Sequence, residues 1–386
     1  MRRLRRVAAC LAVGLGLAAG IAAAPANAAV AALQDDRIVN YVGPQLDQRL
    51  DFFASTGVKV TRVDVLWAQV APTRPADPRN PNDPAYDWAR YDQIFRGLAA
   101  RGIVPIVDFY QTPPWASASK KLNAAPPPAQ AGMFAGAIAR RYSGTFLDSV
   151  GQPLPRVRRI EIWNEPNIDQ YWSPQCRRGP KGGYVPVAAR RYAALASAAA
   201  REIRAAQPDA IVVGGVAGPA GGTNDRSGAR PKACPTGSES VSAMTIISQL
   251  RANRVRLDAW SQHLYPIGSP REAYFFPSWN SLPTLFTELD KLQRGLPVYV
   301  TETGYHTSYN RFHRYFVSET QQADWLEQTF QQANRYPRVE VAMWFNLQDN
   351  PYWTGGLYHN DLTPKPALQR YQALAASTPV PPDWRR

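Results

Sequence analysis

The sequence IEIWNEPN, residues 160–167, is a short apolar run that ends in an amide, a carboxylate and a proline. Ile160 and Ile162 recur at the two-residue spacing of one face of a β-strand. Pro166 has no N–H to donate and therefore limits further strand pairing. A carboxylate at the end of an apolar strand is either a solvated chain end or part of an active site, and the rest of the chain has to decide between the two.

Seven further runs of strand length occur in the chain, and an amphipathic stretch follows each of the eight. The predicted strands are 38–42, 58–66, 103–109, 157–163, 210–216, 257–264, 298–301 and 339–345. The predicted helices are 45–55, 91–101, 130–142, 186–206, 240–254, 282–294, 320–336 and 366–375. Eight strand–helix units close a (β/α)8 barrel, so we expect a single domain of this α/β class. An open doubly wound sheet is the alternative, but Gly214 and Gly215 lack the third glycine of its phosphate-binding fingerprint.

Residues 1–28 have the pattern of a secretory signal peptide. Four arginines lie within the first six residues, a run of small and apolar residues follows, and Ala26 to Ala28 offers a small-residue cleavage site. A membrane anchor is the alternative, but the run is rich in Ala and Gly and poor in large apolar side chains. We therefore expect a secreted, extracellular protein with no membrane span after cleavage, in which residues 29–386 form the barrel.

Charge and cysteine content limit the partners of the mature chain. Loss of the four arginines lowers the formal net charge from +14 to +10, and the remaining basic residues are scattered, so we expect no binding of nucleic acid. Cys10 would leave with the signal peptide, and the remaining pair, Cys176 and Cys234, favours a disulfide in an oxidising compartment. These two cysteines lie in the loops after the fourth and fifth predicted strands, which are neighbours on one face of the barrel.

Two glutamates lie at the C-terminal ends of predicted strands. Glu165 ends the fourth strand, and Glu302, in VYVTETGY, ends the seventh. Active sites of (β/α)8 barrels form at this end, so both carboxylates are expected at the mouth of the barrel. A facing pair of carboxylates is typical of glycosidic bond hydrolysis, in which one is the proton donor and the other the nucleophile or base. The donor has to stay protonated near neutral pH, with a pKa of roughly 6 to 7, whereas the nucleophile has to stay ionised.

Arg62, in the second predicted strand, offers a reason for the two carboxylates to differ. Strand alternation turns Arg62 into the barrel lumen, where its guanidinium beside Glu302 would keep that carboxylate charged. The alternative is a salt bridge between Arg62 and Asp64, and the two roles are compatible. Glu161 faces the same way but lies four residues before Glu165, about 13 Å deeper at strand rise. We interpret Glu161 as a buried structural carboxylate.

Residues of the types that bind sugars follow several other strands. Asp108 ends the third strand, where substrate binding and barrel packing are both open; His263 and Tyr265 end the sixth, and Trp344 ends the eighth. Aromatic side chains in the loops after strands 3, 6, 7 and 8 would suit stacking on sugar rings. They are Tyr110, Trp115, Tyr274, Phe275, Phe276, Trp279, Tyr305, Tyr309, Phe312, Tyr315, Tyr352 and Trp353. Among these, Trp115 is taken as a substrate-binding candidate.

Motifs of other hydrolase classes do not occur in the sequence. The four histidines, His263, His306, His313 and His359, include no pair at i, i+4 spacing and no HExxH motif, so we expect neither a metal nor a cofactor. No G-x-S-x-G elbow follows a strand, which argues against a serine hydrolase. His263 is better interpreted as a hydrogen-bond partner near the reacting sugar.

The motifs EIWNEPN (161–167) and VTETGY (300–305) resemble the acid/base and nucleophile strands of retaining glycoside hydrolases of clan A. The resemblance is nearest to families 39 and 5, which include β-xylosidases, cellulase-like enzymes and exopolysaccharide hydrolases. WAQVAP from Trp67, YDWARYD from Tyr86, TPPWAS from Thr112 and GGLYHNDLTPKPAL from Gly355 extend it over most of the mature chain.

The resemblance implies a role for several residues of this sequence. Glu165 corresponds to the acid/base, Glu302 to the nucleophile, and Asn164 to the residue that hydrogen-bonds the sugar 2-hydroxyl. Trp344 corresponds to the platform under the sugar at the cleavage point, often joined by a cis peptide bond to its successor, here Phe345. A further position in these enzymes touches the nucleophile, and either His263 or Tyr265 fills it.

We therefore predict a secreted, monomeric, retaining glycosidase that hydrolyses β-glycosidic bonds of a polysaccharide or oligosaccharide by double displacement. Two alternatives stay open: a lectin-like barrel that binds sugars without cleaving them, and a transglycosidase that uses the same residues. The resemblance fixes neither the family nor the sugar, and endo or exo action depends on how the loops at the mouth fold.

Overall fold

The computed structural model describes residues 28–384 apart from 181, 183, 220–239, 273–276 and 310–313. The predicted signal peptide, except Ala28, lies outside these ranges. So do the following residues named from the sequence: Cys234, Tyr274, Phe275, Phe276, Phe312 and His313.

Eight parallel strands form one sheet that curves into a barrel. The strands of the described chain are β1 (Val30–Leu33), β2 (Val60–Leu66), β3 (Val104–Tyr110), β4 (Arg159–Glu161), β5 (Cys176–Arg178), β6 (Tyr184–Pro186), β7 (Ile211–Ala217), β8 (Ala259–Leu264), β9 (Val298–Thr303) and β10 (Val339–Trp344). The sheet has the order β1-β10-β9-β8-β7-β4-β3-β2, and β1 contacts β2 across the seam, while β5 and β6 form a separate antiparallel pair. The (β/α)8 prediction is confirmed.

Helices follow the barrel strands and cover the outside of the sheet. They are α1 (Gly43–Ala54), α2 (Trp67–Val70), α3 (Ala89–Ala100), α4 (Pro128–Arg141), α5 (Ala188–Ala206), α6 (Ala243–Ala252), α7 (Leu282–Leu292), α8 (Glu319–Asn334) and α9 (Pro366–Ser377). Helices α4 and α5 pack so closely at Gly132 that a Cβ atom at this position would lie 2.9 Å from Ala198. Within the described ranges, no helix combines the length and the apolar character needed to cross a bilayer.

The first strand lies earlier than the sequence pattern predicts. Residues 38–42 favour a strand by their β-branched side chains, yet Ile38–Asn40 forms a 3-10 turn. Strand β1 is the small-residue run Val30–Leu33, which is buried on both faces and pairs with β10. The sequence prediction was wrong here because short side chains that suit a crowded barrel wall carry little strand signal of their own. As a result, residues 34–36 follow β1 at the mouth of the barrel.

The apolar core has two layers, as strand alternation requires. The outer layer lies between the sheet and the helices, and the inner layer fills the lumen with residues such as Val60, Ile106 and Val341. The C-terminal segment closes the N-terminal end of the lumen: the Trp384 ring lies 5.6 Å from the Tyr299 ring. The opposite end, where the strands finish, is left for the functional site.

Candidate active site

A cleft of about 810 Å³ opens at the C-terminal end of the barrel strands. Its lining comes from the ends of β1, β2 and β3 and from the loops after β4, β7, β8, β9 and β10. It includes Gln34, Asp36, Asp64, Asn164, Glu165, Tyr171, Tyr265, Glu302, Tyr315, Phe345, Tyr352 and Trp353. The barrel thus brings both predicted glutamates to one cleft.

The backbone leaves β4 in a strained turn that carries Glu165. Strand β4 ends at Glu161, before the predicted end at residue 163, and both Trp163 (φ 73°) and Glu165 (φ 39°) have left-handed backbone conformations. Such conformations cost free energy for residues other than glycine, so the surroundings have to hold them. The Glu165 N–H donates to Val216 O at 2.9 Å, and Gly218 leaves room for the carboxylate, because a Cβ there would lie 2.6 Å from Glu165 Oε1.

The two carboxylates are close neighbours across the cleft. One oxygen of Glu165, one oxygen of Glu302 and one ring nitrogen of His263 all lie within 4.8 Å of one another. Retaining glycosidases hold their carboxyl groups about 5–5.5 Å apart, whereas inverting enzymes need roughly 6.5–9.5 Å to admit a water molecule. Carboxylate oxygens that approach within 4.8 Å are closer to the retaining arrangement than to the inverting one.

Both oxygens of Glu302 are engaged by donors. Oε1 accepts a hydrogen bond from Arg62 Nη1 at 2.7 Å, and Oε2 accepts one from the Tyr265 hydroxyl at 2.6 Å. Burial raises the pKa of Glu302, and the neighbouring His263 and Arg62 oppose this rise. Glu165, His263 and Glu302 thus form one buried cluster of titratable side chains.

Arg62 is a buried cation that contacts Glu302. Its guanidinium is buried and donates to Glu302, to Glu161 Oε2 and to Asp108 Oδ2, each at 2.7 Å. A fourth hydrogen bond of 2.7 Å reaches Asn164 Oδ1. The predicted contact between Arg62 and Glu302 is confirmed, and so is the interpretation of Glu161 as a buried carboxylate.

Two further contacts resolve alternatives that the sequence left open. Arg62 also lies 3.7 Å from Asp64, so the barrel salt bridge exists beside the contact with Glu302. Asp108 is fully buried beneath the cleft and pairs with Arg62, which places it in barrel packing. Of the two roles that the sequence left open, the structure favours barrel packing over substrate binding, because Asp108 is fully buried and is not among the residues that line the cleft.

Glu165 has an environment that favours its protonated form. Burial raises its pKa to about 7, against the opposing charge of Arg62. Its Oε1 lies 2.8 Å from Nδ1 of His263, and burial lowers the pKa of that histidine, so the ring is neutral near pH 7. A neutral ring does not force Glu165 to ionise, and Glu165 can therefore hold a proton at neutral pH.

The resemblance left open whether His263 or Tyr265 touches the nucleophile, and in the structure both lie close to Glu302. Tyr265 contacts Glu302 directly, and its ring packs edge-on against Trp353 with centroids 5.0 Å apart. His263 is fully buried below the two carboxylates, at 3.4 Å from Glu302 Oε2. His263 is not among the residues that line the cleft, and its Nδ1 contacts Glu165, so the structure favours a role in positioning Glu165 over the expected contact with the sugar.

Trp344 does not lie in the cleft. Strand alternation turns Val341 and Met343 into the lumen and Trp344 into the outer core, where its Nε1–H donates to Gly355 O at 3.0 Å. Phe345, one residue later, has the lumen-facing parity and lines the cleft. The cis peptide bond is also one residue later than expected, between Phe345 and Asn346. The predicted platform at Trp344 is therefore wrong, and Phe345 occupies the corresponding place.

Trp115 also lies away from the cleft. It is half-buried, its Nε1–H donates to Ala71 O at 2.7 Å, and its ring meets Trp67 edge-on with centroids 5.7 Å apart. These contacts hold the loop after β3 against the loop after β2. The structure therefore gives Trp115 a packing role rather than the predicted substrate contact.

One prediction about this face depends on a residue that the structure does not describe. Cys176 is buried in β5, but Cys234 lies outside the described residues, so the disulfide stays a prediction.

Gln34 and Asp36 line the cleft but were missed in the sequence, because the first strand was placed too late. The polar sequence QDD directly after the buried run was the signal that could have identified them.

Glycoside hydrolases are among the solved structures that match this fold, whereas no family model and no curated protein matches the sequence. A family 39 glycoside hydrolase from Bacteroides cellulosilyticus WH2 aligns with 91% of this chain at a TM-score of 0.57 and 17% identity. A family 39 β-xylosidase from Caulobacter crescentus aligns with 90% (0.59, 16%), and a glucosidase from Croceicoccus marinus with 89% (0.63, 14%).

The alignments cover 64%, 70% and 66% of those three chains, so the protein spans about two thirds of their length. At these identities the similarity is one of fold. The expected resemblance of the barrel to family 39 enzymes is confirmed at that level.

Proposed function

We propose that this protein is a secreted retaining β-glycosidase that cleaves a polysaccharide or oligosaccharide by double displacement. The observation that carries the proposal is the pair of carboxylates, Glu165 and Glu302, with oxygens within 4.8 Å and different surroundings. Burial raises the pKa of Glu165 to about 7, whereas Arg62 and Tyr265 donate hydrogen bonds to Glu302. This combination supplies a proton donor and a nucleophile at the same pH.

In the first step, a carboxylate oxygen of Glu302 attacks the anomeric carbon while the bond from that carbon to the leaving oxygen breaks. Glu165 gives its proton to the leaving oxygen, and a glycosyl ester forms on Glu302. In the second step, Glu165 takes a proton from water as the water oxygen attacks the anomeric carbon and releases Glu302. Asn164, held by Arg62, lies at the cleft beside Glu165, where it can bind the sugar 2-hydroxyl.

Exposed aromatic rings at the rim of the cleft support a polymeric substrate. Tyr309, Tyr315, Phe316 and Tyr352 are between 55 and 66% exposed, and the last three line the cleft. Aromatic faces stack on sugar rings with a large contact area and little loss of entropy. The similar structure described as a β-xylosidase supports a β-linked substrate. Secretion rests on the sequence of residues 1–28 and is tested by N-terminal sequencing of the exported protein.

A digest of a glycan panel with product sizing tests the activity. The wild type should shorten at least one β-linked glycan, Glu302→Ala should abolish turnover, and added azide should restore it with inversion at the anomeric carbon. Glu165→Ala with azide should instead give the retained anomer. Glu327→Ala, at an exposed glutamate of α8, is the matched control and should behave as the wild type.

Two results would replace the proposal. Binding of a glycan that the wild type does not cleave would indicate a sugar-binding barrel. Products longer than the substrate in the presence of excess sugar acceptor would indicate a transglycosidase. Full activity of Glu302→Ala would contradict the mechanism itself.

A further inference from the structure

Three polar residues form one wall of the cleft and are not used by the mechanism above. Gln34 and Asp36 follow β1, and Asp64 lies near the end of β2; we call these three residues the acidic wall. Asp36 lies close enough to Glu302 for their charges to interact, so the wall borders the place where the bond is cleaved.

The donors within the acidic wall are few and their hydrogen bonds are long. Gln34 Nε2 donates both to Asp36 Oδ1 at 3.1 Å and to Asp64 Oδ1 at 3.4 Å. Asn346 Nδ2 donates to Asp36 Oδ2 at 3.2 Å, and the Tyr110 hydroxyl donates to Asp64 Oδ2 at 3.3 Å. Each carboxylate can accept about four hydrogen bonds, so much of this capacity is left for a ligand.

Gln34 adds an acceptor that has no partner. Its side chain lines the cleft and is only 2% exposed, and among the described residues nothing donates to its Oε1. Buried polar atoms in folded proteins are nearly always satisfied, and one that is not often marks a place for a ligand. This observation is independent of the carboxylates, and like them it indicates a ligand that donates hydrogen bonds to the acidic wall.

The chain segment that carries the acidic wall is fixed from behind. Arg49 donates to both carboxylate oxygens of Asp35, at 2.6 and 2.7 Å, and also to Gln348 Oε1 at 2.8 Å. Bidentate pairs of this kind hold their partners in one orientation. The backbone at Asp36, the next residue, is therefore held in place with this side chain at the cleft.

Negative charge predominates around the acidic wall. The guanidinium of Arg62 is shared by four carboxylates, those of Asp64, Asp108, Glu161 and Glu302. Burial raises the pKa of Asp36, and the charges of Asp64 and Glu302 raise it further. A second anion placed here would meet the same repulsion, whereas a hydrogen-bond donor would relieve it.

We infer that the acidic wall binds the donor edge of a sugar ring, through hydroxyl or ammonium groups, and rejects a sugar that carries a carboxylate at this edge. The inference rests on the proposed function to the extent that the ligand is a sugar. It makes Asp36 a specificity-determining residue that selects neutral or amino sugars over uronic acids. A substrate with a carboxylate in place of the hydroxyl or ammonium group should therefore bind at least about tenfold more weakly. A tenfold change corresponds to about 1.4 kcal/mol of binding free energy.

The test uses three methyl β-glucosides that differ at C6 and carry a hydroxyl, an ammonium or a carboxylate. Binding to the intact protein is measured by calorimetric titration at pH 7, for the wild type, Asp36→Asn and Asp64→Asn. Asp324→Asn, at an exposed aspartate of α8, is the matched control, and thermal melts establish that each variant is folded. The hydroxyl and ammonium ligands should bind at least tenfold more tightly than the carboxylate ligand, and Asp36→Asn should reduce this preference to about twofold.

Tighter binding of the ammonium ligand than of the hydroxyl ligand would identify an amine as the preferred donor, and equal binding would identify hydroxyl groups. Equal or tighter binding of the carboxylate ligand, an unchanged preference in Asp36→Asn, or no binding of any of the three would overturn the inference. Binding that depends on Asp36 without cleavage of any glycan would contradict the proposed hydrolysis and leave this inference standing. Cleavage with the same sugar preference in the wild type and Asp36→Asn would contradict this inference alone.

Discussion

Glu165 and Glu302 are chemically identical side chains that differ through their neighbours. Because the pKa of Glu165 is raised to about 7 and the proposed mechanism requires its protonated form, kcat/KM should fall as the pH rises through about 7. Glu165→Gln should lose this alkaline limb on a dinitrophenyl glycoside, whose leaving group needs little protonation. A pH–rate profile of both proteins checks this, and an unchanged alkaline limb in Glu165→Gln would argue against Glu165 as the acid.

The same raised pKa predicts a dependence of stability on pH. In the folded protein Glu165 binds its proton more tightly than at the ordinary value of 4.5, so its contribution is complete below pH 4.5 and is lost as the pH rises through about 7. Glu165→Gln has no charge to bury, so its free energy of unfolding should exceed that of the wild type by up to about 3 kcal/mol at pH 8. The difference should be much smaller at pH 5. Urea unfolding at the two pH values measures it, and equal differences would refute the explanation.

The location of a single residue could be predicted where the end of a strand and the alternation of side chains along it were enough to place the residue. The positions of Glu165, Glu302 and Arg62 follow from the end of a strand and from two-residue alternation. Phe345 lay within the predicted strand 339–345 and shares the parity of the lumen-facing residues of β10, but it was passed over because the resemblance pointed to the tryptophan before it. Asp36 could not be identified at all without the correct position of β1.

At the level of elements, the loops after β9 and β10 carry the exposed aromatic rim. Lys365 is buried and joins them, with hydrogen bonds from its Nζ to Thr307 Oγ1 and Asp349 Oδ1, both 2.8 Å long. Alanine at Tyr315 or Tyr352 should raise KM for the polymeric substrate about tenfold and leave kcat/KM for an aryl monosaccharide nearly unchanged, because the rings lie beyond the cleavage point. Leu147→Ala, at an exposed residue on the other face, is the control. Equal losses on both substrates would contradict this role.

Seven of the eight barrel strands were predictable because large β-branched side chains make a strong strand pattern. Strand β1 was not, because Ala31 and Ala32 carry little such pattern and their burial depends on the neighbouring strand β10. The early end of β4 was also not predictable, since the left-handed turn at Trp163 depends on hydrogen bonds to β7 and its loop. Strand β1 and the early end of β4 therefore depend on tertiary contacts rather than on the local sequence.

At the level of the whole molecule, the site lies at one end of the barrel and the C-terminal segment closes the other. The Arg159 guanidinium lies 3.5 Å from the centroid of the Trp384 ring, and Tyr299 packs beside it. Trp384→Ala should lower the free energy of unfolding by about 3 kcal/mol, the usual loss for a buried aromatic residue. Activity at a temperature where the variant is folded should be unchanged, because the ring is far from the cleft. Loss of activity without loss of stability would contradict this division of the barrel.

The central claim is that Glu302 forms a covalent bond to the sugar while Glu165 moves the proton. Its most direct test is a 2-deoxy-2-fluoro glycoside of the cleaved sugar with a good leaving group, followed by mass spectrometry of the intact and digested protein. The account predicts one added glycosyl group per chain, located at Glu302 in the sequence VYVTETGY, and a first product of retained configuration. An adduct at Glu165, or an inverted product formed without any adduct, would contradict it.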